Sequence, residues 1–423
     1  MRSRIYQNLT ELHNAELEEV EKIISNFNQN IEYEIKNVKG RDVINNNEVE
    51  KDLRIVLDYY KEYLNRYAKL KFPNRSSIMS EVMNIMPNIH VYHTYTIFKF
   101  DIEKFFYNID FKKIRKYIDD FISLHSHEKK FFEVYTKNQK ELIPGVGLHN
   151  SMMEILGHYF DMKIKEKFEK HCIYYARYVD DGIIIFDEEI DELEIKNEVS
   201  KLLKNIFGEN VKLSQSKTKC YKKSFNGKID FEYLGYHFLR EQGKKFKFGI
   251  ANSKIQKYQL KIDEYIEEYV SGNQDEEAVK ILDFKIDALF KRVVYYGTSK
   301  NSTVSRWQVR GISDSYKELK RFMDGNSDVE KITKNTFTFF EKYVGVSFGR
   351  IGRNRIEIPR CIRNKLKNKR YLANFYKNRT ILMHPNLGWK YDKLQKCMEE
   401  IYKLNTINKS YETLAKEFLI HYK

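Results

Sequence analysis

The chain has 423 residues, 75 of them Lys or Arg and 60 Asp or Glu, a formal net charge of +15 with a pI near 9.2. No apolar run approaches the ~18 residues of a membrane span, and the first residues lack the apolar region of a signal peptide, so neither is expected. The four cysteines, Cys172, Cys220, Cys361 and Cys397, stand far apart with no zinc-type spacing, which excludes a disulfide framework and a zinc site and fits a reduced, cytoplasmic protein.

The length suits two or three domains or subdomains, and 42% hydrophobic residues supply a sizeable core. A globular chain this basic calls for a polyanion, nucleic acid before an anionic membrane. Its 31 Tyr and 28 Phe tilt that choice, because bases and sugars stack on rings.

Residues 1 to about 72 are expected to be helical. "DLRIVLDYYKEYLNRYAKL" puts Leu53, Val56, Leu57, Tyr60, Tyr63, Leu64 and Tyr67 on one face, and Pro73 provides a stop. "SSIMSEVMNIM" predicts a short helix. "TYTIFKFDIEKFFYNI" predicts a strand from Tyr95 to Ile102 running into a turn or short helix. Pro144, Gly145 and Gly147 break structure, and Asn150 and Ser151 are candidate caps of a helix reaching about Lys170. A hairpin is expected around "RYVDDGIIIF", an amphipathic helix over 189–207, and strands at "IDFEYLGYHFLRE" and "KKFKFGIANS". From Ile255 onward helical periodicity dominates, so the order reads as an α+β core with a helical appendage.

Two adjacent carboxylates, Asp180 and Asp181, sit between apolar runs in "RYVDDGIIIF". Taken alone, Asp181-Gly182 is an ordinary turn signal. Two neighbouring carboxylates also raise each other's pKa unless a cation is near, and a hairpin would present both to one divalent ion. A third acid, Asp101, lies 79 positions upstream on a predicted strand among Phe98, Phe100, Phe105 and Phe106, where a charge needs a partner. Lys217 follows the 189–207 helix in "LSQSKTKCY", and Gly235 lies in "FEYLGY".

This ordered set resembles the palm of a reverse transcriptase. "FKFDIEKFF" resembles motif A, with a metal-binding Asp101 followed five positions later by an aromatic gate, Phe106. "GVGLHNS" resembles motif B through Gly147 and Ser151, "YVDD" resembles motif C with Tyr178 beside the carboxylates, "SQSKT" motif D and "FEYLGY", with Tyr233 and Gly235, the motif E primer grip. The likeness covers about residues 75–240. One departure is visible: the family usually has proline two residues before the motif B glycine, whereas here position 145 is Gly and the proline is Pro144. The stretch from Pro73 to Phe106 is similar to bacterial defence-associated and abortive-infection reverse transcriptases of the "unknown groups".

The resemblance implies a right-hand polymerase fold of α+β class. It would have a helical N-terminal extension and abbreviated fingers over 1–97, a palm with an antiparallel sheet over 98–240, and an all-helical, thumb-like basic region over 241–423. It implies two Mg2+ ions, with Mn2+ as a substitute, held by Asp101, Asp180 and Asp181 for in-line phosphoryl transfer. Lys217 would serve the pyrophosphate, and Phe106, Gly147, Ser151 and Arg75 the nucleotide. Within "GRIGRNRIEIPRCIRNKLKNKRY" nine basic residues face one acid, Glu357; Arg350, Arg353, Arg355, Arg360 and Arg363 are candidate phosphate contacts. Expected partners are an RNA template, structured noncoding RNA included, the DNA product, dNTPs, and a second copy or partner protein, with no membrane. The competing readings are a catalytically degenerate RNA-binding scaffold and a template-independent or protein-primed DNA polymerase.

Overall fold

The computed structural model describes residues 2–27, 31–38, 40–45, 48–139, 141–224, 227–299, 302–323, 330–353 and 355–422. They form two compact units, Met1–Asn226 and Gly227–Lys423.

In the first unit the expected helical run over 1–72 is interrupted. Helices Arg2–His13, Leu17–Asn26 and Lys51–Tyr67 flank an antiparallel hairpin of β1 (Ile35–Val38) and β2 (Arg41–Ile44). All four β1 residues are exposed, so no apolar alternation announced a strand. The Lys51–Tyr67 helix buries Val56, Leu57, Tyr60, Tyr63 and Leu64, as their spacing predicts. It ends at Tyr67, ahead of Pro73.

A four-stranded antiparallel sheet follows, built from β3 (Thr96–Asp101), β4 (Cys172–Tyr178), β5 (Asp181–Phe186) and β6 (Lys219–Lys222) in the order β4-β5-β3-β6. Every residue of β3 is buried, as are Gly182 to Phe186 of β5. These central strands are covered on both faces, which explains their continuous apolar runs. The helix Gly147–Lys167 packs here, with Phe160 edge-on to Phe100 at 6.4 Å. It begins at Gly147, behind Val146, rather than at an Asn150 or Ser151 cap. The helix Glu192–Phe207 is capped by Asp191, whose side chain accepts from the backbone N–H of Leu193 and Glu194.

The second unit begins with β7 (Ile229–Tyr233), β8 (Tyr236–Arg240) and β9 (Lys247–Ile250), one antiparallel sheet. The two units therefore part after Asn226, ahead of the sequence-based boundary at 240. The region beyond is mainly helical but not all-helical. It contains β10 (Arg292–Ser299), β11 (Ser302–Arg310) and β12 (Thr380–Met383), in the order β11-β10-β12 with β10 and β12 parallel. "RVVYYGTS" and "STVSRWQVR" are rich in β-branched and aromatic residues, a strand composition that the surrounding helical periodicity masked. The inner face of this sheet buries Val293, Tyr295, Ile381 and Met383 against Leu394, Met398, Leu414 and Phe418 of helices Tyr391–Glu400 and Tyr411–Tyr422.

Candidate active site

Tyr178 and Asp181 pair across β4 and β5, which leaves Val179 and Asp180 as a two-residue loop. The turn thus lies one residue ahead of Asp181-Gly182. Val179 takes φ 60°, a strained conformation for a β-branched residue. Gly182 is a strand residue opposite Phe100, and a Cβ there would lie 2.1 Å from Phe100 Cζ. Glycine is needed at this point for the ring's close approach rather than for a turn.

The loop is held from beneath by Arg177, whose side chain is wholly buried. Its guanidinium donates to Glu154 at 2.9 Å, to Asp161 at 2.8 and 3.0 Å, and to the backbone oxygen of Val179 at 3.1 Å. Sequence reasoning gave Arg177 no role. Its signal was a charge at an inward position of an otherwise apolar strand, with acids spaced seven apart on the preceding helix.

Asp101, the last residue of β3, is the cross-strand partner of Asp181, the first of β5. The Ile102 N–H donates to the Asp180 backbone oxygen at 3.0 Å, so all three acids converge on one end of the sheet. Asp101 is only 5% exposed. Burial raises the carboxyl pKa of Asp180, and the Asp101 charge adds to the rise. Burial likewise raises Asp181, opposed by Lys99 and reinforced by Asp180 and Asp101. The Lys217 ammonium donates to both Asp101 oxygens, at 3.0 and 3.2 Å, and this hydrogen bonding raises its own pKa. Ser214, three residues before Lys217, donates its N–H to the Asp101 backbone oxygen at 2.8 Å, which anchors the Lys217 segment to the strand end.

Two further cations were missed. Buried Lys99, two residues before Asp101 on the same strand face, reaches Asp181 at 3.7 Å. Arg41 on β2 acts electrostatically on Asp180 against the effect of burial. The hairpin carrying it is tied in twice: Tyr107 OH donates to the Asp42 backbone oxygen at 2.7 Å, and Ile44 N–H to the Pro144 oxygen at 2.8 Å. Gly145 lies against the same residue with φ 125°, and a Cβ there would meet Ile44 O at 2.6 Å. That contact accounts for glycine where the resembled family has proline.

The donor set fits magnesium in kind: three carboxylates, hard oxygen ligands, at one strand end. Among the described residues, however, no group of three His, Cys, Asp or Glu side chains is arranged as a ready-made ion site. Lys217 and Lys99 engage Asp101 and Asp181 instead.

The remaining candidates fall into different places. Phe106 is half-buried in the short helix Phe105–Asn108, directly after the strand that carries Asp101. Gly147 opens its helix, and a Cβ there would meet Lys61 Cδ at 2.6 Å. Ser151 is fully buried and donates to Asn65 Oδ1 at 2.7 Å, so its hydroxyl ties two helices together. Arg75 begins the helix Arg75–Ile85, capped by Asn74. Tyr178 is half-buried at the mouth of the loop.

Tyr233 and Gly235 lie in the second unit, around the β7–β8 turn. Tyr233 is 1% exposed, which removes it as a stacking surface.

The basic stretch is less unbalanced than its sequence suggests. Arg350 pairs with Asp263, Arg363 with Glu357 at 3.0 Å, Lys365 with Asp283 at 2.9 Å and Lys369 with Glu341 at 2.8 Å. Three of these acids come from distant sequence. Arg353, Arg355 and Arg360 are exposed and make no ion pair among the described residues.

Residues 45–238 match the family model described as reverse transcriptase (RNA-dependent DNA polymerase). No curated protein matches the chain. Among solved structures, apo telomerase from Candida tropicalis truncated from its C-terminal domain is similar at 13% identity, TM-score 0.32, over 44% of this chain and 43% of that one. Telomerase from Candida albicans in complex with a TWJ fragment of telomeric RNA shows 10% identity, TM-score 0.35, over 85% and 56%. The corresponding Candida tropicalis complex shows 13%, TM-score 0.33, over 93% and 64%. This chain thus spans less than two thirds of each of these telomerase chains, and at such scores the assignment rests on the family match. That match spans Asp101, Gly147, Asp180, Asp181 and Lys217, so residues 45–238 are similar to the reverse transcriptase family across the whole candidate site.

Proposed function

We propose that the chain is an RNA-directed DNA polymerase, a nucleotidyltransferase whose reacting groups meet at the paired ends of β3 and β5. The observation that carries this reading is the Asp101–Asp181 cross-strand pair with Asp180 in the adjoining two-residue loop. Asp101, Asp180 and Asp181 would hold two divalent ions, which would supply Lewis-acid chemistry for phosphoryl transfer. Lys217, whose ammonium donates to Asp101, would offer that ammonium to the pyrophosphate. Arg177 fixes the loop that carries Asp180, and Phe106 excludes a ribose 2′-hydroxyl by its bulk. Arg41 adds a basic residue whose charge reaches Asp180. Ser151 is left out of direct nucleotide contact, because its hydroxyl is committed to Asn65.

The finer reading is a bacterial antiphage role with a noncoding RNA or partner protein. Its support is the likeness of the stretch from Pro73 to Phe106 to defence-associated enzymes. No helix among the described residues is long and apolar enough to cross a membrane, and the cysteines are free, in keeping with a cytoplasmic site of action.

Primer extension with labelled nucleotides tests the activity. Mg2+-dependent incorporation of dNTPs directed by an RNA template is expected, with rNTPs poorly used by the wild type and better used by Phe106→Ala. Incorporation independent of template, or equal use of both sugars by the wild type, contradicts the reading.

A further inference from the structure

The β11-β10-β12 sheet is open on one side. Its inner face packs on two helices, whereas Tyr296, Trp307 and Val309 on the outer face are 43%, 48% and 38% exposed. Tyr296 and Trp307 are cross-strand partners, and Val294 pairs with Val309 beside them. The rings of Tyr296 and Trp307 lie 5.1 Å apart, and His384, just past β12, stacks on Trp307 at 5.4 Å with an interplanar angle of 28°. Three aromatic rings therefore form a continuous platform on a sheet surface. Burying them would have been favourable, so their exposure calls for an occupant.

Charge identifies the occupant. Residues 291–310 contain five Lys or Arg and no acid, and residues 377–390 contain three and no acid. Arg292 stands on the platform's own face, and its Nε donates to Thr380 at 2.6 Å. Arg306 and Arg310 are exposed on the edge strand, but they pair with Gly297 and Val293 and so alternate to the face opposite Trp307, which leaves them at the sheet's edge. Glu412 meets this sheet from the inner side, accepting from Tyr295 at 3.4 Å. An exposed cluster of tilted rings with Arg292 on its own face, two cations along its edge strand and no acid in the neighbouring segments matches unpaired bases joined by phosphates. Each base offers a π face to a ring, and each phosphate offers an anion to a cation. A protein partner would instead match apolar surface with some acidic charge, and a duplex hides the faces of its bases.

We infer that the outer face of this sheet binds single-stranded RNA, with one base stacked on Trp307 and its neighbour on Tyr296 or His384. The choice of RNA over DNA rests on the polymerase reading, in which the template is the strand left unpaired.

The test is fluorescence anisotropy of the full chain with a labelled single-stranded RNA of about 12 nucleotides, within the usual span of such sites. Trp307→Ala should weaken binding about tenfold or more, Tyr296→Ala less, and Trp307→Phe should keep most of the affinity because a ring remains. In a Trp389→Phe background Trp307 is the sole tryptophan, and its emission should fall on RNA addition. Unchanged affinity in Trp307→Ala, or unquenched emission at saturation, overturns the assignment. Equal affinity for DNA of the same sequence overturns the choice of RNA. The readout needs no catalysis: a wild type that binds RNA through Trp307 but incorporates no nucleotide would sink the polymerase reading and leave the RNA platform standing.

Discussion

The ammonium of Lys217 donates to both carboxylate oxygens of Asp101, at 3.0 and 3.2 Å. A largely exposed lysine thus occupies a nearly buried acid at the strand end where cations would be drawn. On the proposed reading, this pairing would compete with a metal ion for Asp101.

Lys217→Gln should separate these roles. Removing one positive charge should tighten Mg2+ binding several-fold in calorimetry, since like charges no longer compete. Single-turnover incorporation should nevertheless fall by about 10²-fold, the lower range for loss of a general acid. Weaker Mg2+ binding together with full activity would remove Lys217 from the site.

Gly182 and Phe100 predict a steric rescue. Gly182→Ala places a methyl group 2.1 Å from Phe100 Cζ and should cost about 1–3 kcal/mol in denaturant unfolding. Adding Phe100→Leu should recover part of that loss, because the smaller side chain yields space. A double variant no more stable than Gly182→Ala would show that the contact does not limit the strand.

Acidity should act on the carboxylates with a definite sign. Burial holds Asp180 and Asp181 above the ordinary Asp value of about 3.9, so the folded chain keeps their protons longer than the unfolded one. Their contribution to stability is full below that ordinary value and lost as pH rises through the raised folded values. Without metal, Asp180→Asn/Asp181→Asn should therefore gain on the wild type with rising pH, by about 1–3 °C in Tm at neutrality. Mg2+ should stabilise the wild type at neutral pH and not the variant, and the effect should fade in acid as the ligands protonate. Thermal melts with Mg2+ or EDTA across pH check both trends.

The basic stretch divides into paired and unpaired residues. Replacing Arg353, Arg355 and Arg360 with Gln should reduce the salt slope of RNA binding by about two to three units. Arg350→Gln should instead cost about 1 kcal/mol or less, since Arg350 is exposed while its partner Asp263 keeps hydrogen bonds from Tyr343 and Ser347. An unchanged salt slope in the triple variant would point to a protein-facing surface.

The sheet end was legible because its signals are local: the carboxylates interrupt apolar runs, and β3 and β5 are buried on both faces. What escaped depends on residues distant in sequence. The Arg177 cluster joins a strand to a helix, and the partners of Arg350, Lys365 and Lys369 lie outside the basic stretch. Ser151 looked like a cap, yet it bonds Asn65 across 86 positions. The β1–β2 hairpin carries exposed polar residues, and β10–β11 sit amid helices, so neither showed the period that marks a strand. Val179 was unexpected for a simpler reason: nothing in its side chain favours a positive φ, and only the register of β4 on β5 imposes it.

The most direct measurement is single-turnover dNTP incorporation on an RNA template by Asp180→Asn beside the wild type, with circular dichroism confirming equal folding. Removing one ligand charge from the loop should lower the rate by at least roughly 10³-fold, the scale for losing a central electrostatic element, and added Mg2+ should not restore it. Near wild-type incorporation by the folded variant would contradict the assignment of the β3–β5 strand end as the catalytic centre.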